Sequence, residues 1–135
     1  MNYPKEIMTG ILWSFEDRKF NRLEEFENAL IKYNKDIKGE SFAFDLTDNI
    51  LNAPKVTIQY QYWDEKEEDH IEPDFLLSAY NNEFFLQGEL LFKVHQEVCE
   101  KLKDADNKYF EGFVLWEGEN PNNPEIPLYF LLQGS

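Results

Sequence analysis

Three groups of side chains have the types and spacing to do chemistry. The densest runs from Tyr62 to Asp74, YWDEKEEDHIEPD, where seven carboxylates and one lysine follow two aromatics. Hard cations take several oxygen ligands, so such crowding first raises a calcium site. The stretch has no loop glycine and no D-x-[DN]-x-[DN]-G spacing, and carboxylates lacking that geometry mostly repel one another. No metal is expected there. The expected reading is a solvated loop, or else a surface that meets a positively charged partner.

The second group is His95 and Cys99, which stand at i and i+4 and so share a helix face. A Cys–His nucleophile needs an activated thiolate and a third group to orient the imidazole. His95 also lies four residues after Leu91 and three before Val98, which makes it a histidine at the core's edge beside a small buried cysteine. His70 adjoins Asp69, but adjacent residues seldom converge on one site, and two histidines cannot build a His-rich metal centre. Glu117 and Glu119 form the third group. On an extended backbone they face one side next to Trp116, a pairing that a carboxylate-dependent hydrolase would use, though nothing marks a sugar cleft. The chain holds no G-x-S-x-G elbow, P-loop, G-x-G-x-x-G turn or Cys-x-x-Cys pair, and its six glycines are scattered singly. No catalytic residue, no cofactor and no enzymatic activity are expected.

Charge narrows the partner. The net charge is −14 across 135 residues, which argues against nucleic acid and anionic membrane as direct ligands. Residues 1–38 hold seven acids and seven bases, whereas residues 39–92 hold twelve acids against Lys55 and Lys66 alone. That one-sided middle would steer a basic partner at a salt-dependent rate. Trp63 sits directly against the acids, with Tyr60 and Tyr62 on the opposite strand face. An aromatic anchor supplies affinity while charge supplies on-rate and specificity. The candidate partner-binding residues are therefore Trp63, Asp64, Glu65, Glu67, Glu68, Asp69, Glu72 and Asp74.

The elements that must position these groups follow from periodicity. Residues 6–16 read as an apolar opening strand. Leu23, Phe26, Leu30, Tyr33 and Ile37 make the stripe of a first helix, with Asn21 and Glu24 spaced as a capping box and Gly39 as its stop. Residues 41–46 suggest a short half-buried strand. Residues 55–63, KVTIQYQYW, alternate strictly and predict another, for which FLLSAY at 75–80 is the hairpin partner across the acidic stretch, with Asn81-Asn82 as the next turn. Leu91, Val94, Val98 and Leu102, widened by Leu90, predict a second helix from about Gly88 to Lys103. YFEGFVLW at 109–116 and LYFLLQ at 128–133 are closing strands around the loop ENPNNPEIP, which no helix or central strand accepts. The expected fold is one α+β domain, with a mainly antiparallel sheet of five to six strands packed against two helices. No apolar run reaches the length of a membrane span and no signal peptide is read; the single Cys99 suits a reducing cytoplasm.

The C-terminal part, GELLFKVHQEVCEKL followed by YFEGFVLWEGENPNNPEIPLYFLLQGS, resembles the ending of small acidic immunity proteins encoded beside bacterial polymorphic toxins. The resemblance covers roughly residues 84–135, and its short motifs, FEGF and the final QGS, carry no catalytic signature. It implies a cytoplasmic inhibitor that binds one cognate toxin domain, often a nuclease, and blocks its active site. No functional residue transfers from it, because immunity families use different surfaces. The alternatives are a small acidic housekeeping interaction domain without a toxin partner, and the hydrolase that Glu117 and Glu119 would serve.

Overall fold

A computed structural model describes residues 2–135. Its first helix, α1 (Leu23–Lys38), buries Phe26, Leu30 and Asn34, three positions each four apart. Asn34 is thus part of the stripe, whereas Ile37 points outward and is 57% exposed. A buried amide is tolerable only when satisfied. The Asn34 side chain donates to the carbonyls of Leu12 and Leu30 and accepts the Leu12 N–H, all at 2.8 Å. Those bonds occupy the backbone of the opening segment. That segment is not the single strand expected over 6–16, but two short ones, β1 (Glu6–Ile7) and β2 (Trp13–Ser14), split by a turn with Met8 at φ 60°. The expected capping box is also absent. The helix cap is Arg22 with no side-chain bond, because the Gln96 amide grips both backbone groups of Phe20 and sets where the chain enters. Gly39 does stop the helix, at φ 104°.

No strand forms over 41–46. Asp45 instead accepts the backbone N–H and hydroxyl of Thr47, closing a local turn that competes with any ladder. A short strand that periodicity did not indicate follows: β3 (Asn49–Leu51), later paired with β8 (Phe85–Leu86). The expected strand over 55–63 divides at Tyr60 and Gln61 into β4 (Lys55–Gln59) and β5 (Tyr62–Asp64). The acidic stretch is not a plain loop. It folds back as β6 (Asp69–Ile71) against β5 before β7 (Asp74–Ser78) returns along β4 in the hairpin pairing expected.

The second helix, α2 (Gln87–Leu102), buries Leu90, Leu91, Val94, Val98 and Leu102, as the periodicity requires. The chain ends in β9 (Tyr109–Leu115) and β10 (Leu128–Gly134). The main sheet runs β1-β9-β10-β4-β7, with β2 also on β9, which makes six strands in an α+β fold. Its one parallel pair is β10 with β4, so the sheet is mixed. Gly112 sits at φ 110° in β9, where an added Cβ would meet the Thr9 backbone at 3.0 Å, and only glycine fits without strain.

Parity divides the sheet into two faces. Val56, Ile58, Leu77, Phe113, Tyr129 and Leu131 join the helix side chains in one core. Phe130, Leu132, Val114 and Gln59 alternate with them and so face away from that core.

Candidate functional site

The acid-rich hairpin is a short device with its own internal order. Tyr62 pairs with Ile71, Trp63 with His70, and Asp64 with Asp69. Between the last pair the chain turns through Glu65–Glu68. Asp64 Oδ1 accepts the N–H groups of Lys66 (2.9 Å) and Glu67 (3.3 Å), and Glu68 takes the left-handed conformation at φ 51°. One of the carboxylates therefore builds the turn that displays the others. At the hairpin's base the Gln133 side chain acts as a substitute strand. Its carbonyl oxygen accepts the Gln61 N–H and its amide donates to the Gln61 carbonyl, both at 2.9 Å.

The hairpin's two faces differ. Tyr62 turns inward, with the Lys101 ammonium 5.0 Å from its ring centre. Trp63 is 49% exposed and meets the His70 ring edge-on at 5.2 Å. With Glu65 these two residues form one wall of a cleft of about 600 Å³, and Asp104, Asp106 and Lys101 supply the other wall. Asp64, Glu67, Glu68 and Asp69 complete the tip. Glu72 and Asp74 lie elsewhere, on an outer groove of the main sheet. The eight candidate residues thus form six at the tip and two at the base. None of the eight enters an ion pair among the described residues, although five ion pairs form in other parts of the chain.

The other chemical candidates resolve into structure. His95 is fully buried, deeper than the core's edge. Its Nδ1 accepts from the Trp13 indole N–H at 3.1 Å, and its Nε2 donates to the Arg18 carbonyl at 3.1 Å. Both nitrogens are occupied, and the rings of Trp13, Phe15, Phe20 and Phe26 surround the imidazole. Burial lowers its pKa below the ordinary 6.5 and outweighs the opposing Arg18 carbonyl and Asp17. Cys99 is also buried, and burial raises its thiol pKa, the reverse of what a nucleophile needs. Glu117 is exposed and pairs with Lys5 at 3.7 Å. Among the described residues no three His, Cys, Asp or Glu are grouped to hold a metal.

Periodicity did not reveal the outer groove. It measures about 580 Å³ and is lined by Gln59, Tyr60, Trp116, Phe130, Gln133 and the two base carboxylates, among others. Pro121 closes one side, and its neighbour Asn120 is 97% buried. Its amide donates to Thr57 Oγ1 (3.0 Å) and the Ile126 carbonyl (3.1 Å), pinning the proline-asparagine loop onto the sheet. A signal was present in the sequence. Residues 113–116 and 128–132 are apolar at both parities, and two helices cover only one face of a sheet.

No protein-family model, curated protein or solved structure matches this chain.

Proposed function

We propose that this chain is an immunity-type inhibitor, a cytoplasmic, non-enzymatic protein that binds a basic toxin domain and covers its active site. One observation carries the reading: a projecting hairpin presents a half-exposed tryptophan among carboxylates that form no ion pair among the described residues. A carboxylate field of this kind accelerates encounter with a basic surface, and the accelerated rate falls with salt. Nuclease domains carry basic clefts for their substrate, so an acidic surface competes with nucleic acid for the same residues. Trp63 would then be the desolvated anchor, and Glu65, Glu67, Glu68 and Asp69 the steering charges.

The test is co-purification at low salt with the C-terminal domain of a toxin encoded immediately upstream, followed by a toxin activity assay with and without this protein. Stable capture and loss of toxin activity are expected. Failure to bind at low salt would sink the proposal.

A further inference from the structure

The sheet's outer face is too apolar for a surface meant only for water. Trp116 and Leu76 are each 46% exposed, and Phe130, Leu132 and Val114 are partly exposed on the same face. Register places Leu128, Thr57 and Leu76 side by side, with Phe130, Gln59 and Asp74 in the next row. Trp116, Phe130 and Val114 therefore form an apolar patch that Gln59 and the buried Thr57 separate from Leu76 and the Asp74 carboxylate. Exposed apolar strips with a polar rim mark interaction surfaces.

Chemistry specifies the occupant. Glu72 and Asp74 line the groove and no lysine or arginine does. The Asp74 and Glu72 carboxylates make no hydrogen bond or ion pair among the described residues. Gln59 donates its amide to the Glu72 carbonyl at 3.4 Å, which leaves its own side-chain oxygen as a further acceptor. Trp116 and Phe130 meet edge to face at 5.6 Å and supply aromatic surface beside these acceptors. Burial, then Tyr62 and Glu97, push Tyr60 up to about 12, so its hydroxyl stays neutral and adds no charge. Acceptors and aromatic faces without a competing cation match a guanidinium or ammonium group on an apolar stem. The open shape suits a polypeptide segment, which can cross Gln59 from the Trp116–Phe130 patch to Asp74. A second copy would bring another chain of net charge −14 against the same two carboxylates, so like charges oppose that occupant.

We infer that this groove docks an arginine- or lysine-bearing segment of the basic partner, a contact separate from the hairpin tip. The inference rests on the reading of the chain as a binder of basic proteins, and it names where the partner's cationic side chain goes.

The experiment is an NMR titration of the full chain at low salt with an end-blocked Arg-Val-Arg peptide, using Glu-Val-Glu as the control. Saturable shifts at the Trp116 indole and the Gln59 side-chain amide are expected, weakened at least fivefold by Glu72→Gln with Asp74→Asn. Glu40→Gln with Glu83→Gln, which removes two exposed carboxylates outside the groove and the hairpin, should leave the affinity within twofold. Shifts confined to the Trp63 indole, or equal losses from both variants, overturn the assignment. So does a Trp116 signal that changes with protein concentration alone, which would give the face to a second copy. Toxin-domain capture that survives the Glu72 and Asp74 changes at full strength removes the groove while leaving the immunity reading intact. Absence of capture by the unaltered chain removes the immunity reading instead.

Discussion

Glu89 and the hairpin glutamates are the same side chain put to opposite uses. Glu89 is 3% exposed and every part of its charge is answered. One oxygen accepts the Tyr80 N–H at 2.7 Å and the Lys93 ammonium at 2.9 Å, and the other accepts the Leu86 N–H at 3.2 Å. Lys93 in turn reaches the Ser78 carbonyl and lies 3.6 Å from the centre of the Tyr80 ring. This one carboxylate ties the start of α2 to the end of β7. Glu65, Glu67 and Glu68 are exposed and form no ion pair among the described residues. A buried charge must be compensated to exist at all, whereas an exposed one costs the fold little. Unanswered exposed charge is therefore free to be selected for something outside the molecule.

The comparison breaks most visibly at Glu89. Glu89→Ala strands Lys93 and two N–H groups, and should cost about 3 kcal/mol or more in urea unfolding. If the loss is below about 1 kcal/mol, the network is not holding the fold.

Acid should act through the interior rather than the tip. His95 has a folded pKa below its ordinary 6.5, so the unfolded chain takes up the proton first. Its contribution is complete above pH 6.5 and is lost as pH falls below that value towards the folded pKa. The slope reaches at most about 1.4 kcal/mol per pH unit for one proton. Denaturation curves from pH 7.5 to 5.5 should show this fall, and His95→Gln should flatten it. A variant neutralised at Glu65, Glu67, Glu68 and Asp69 should keep it.

Gln133→Ala probes the joint between the two regions. Removing the bonds to Gln61 should cost about 1 kcal/mol and raise amide exchange across residues 61–72 while α2 stays protected. Unchanged exchange would mean that the hairpin is held from elsewhere. The smallest effect belongs to the tip. Neutralising Glu65, Glu67, Glu68 and Asp69 together should move stability by no more than about 0.5 kcal/mol.

The two regions also differ in how much of them could be read from the sequence. Helix α2 was legible because Leu91, Val94, Val98 and Leu102 bury one stripe, and the β4–β7 pairing because alternation locates a strand. Asn34, Gln96 and Gln133 were not legible. Each is a polar side chain that takes over a backbone's hydrogen bonds from 22 to 76 residues away, and no local pattern encodes such a partner. They are also why the opening strand split, why the capping box was bypassed, and why the acidic stretch is a fixed hairpin rather than a loop. The candidate residues were found as one run of sequence, yet the hairpin parts six of them from Glu72 and Asp74. Spacing along a chain cannot show which side of a sheet its carboxylates reach.

The most direct test of the central claim, that the hairpin's acids act between molecules and not within this one, is stopped-flow association with the toxin domain over a range of salt. Charge reversal at Glu65, Glu67, Glu68 and Asp69 should slow association and flatten its salt dependence, with unfolding stability nearly unchanged. Identical association kinetics for the altered and unaltered chains would contradict the claim and return the hairpin to solvent.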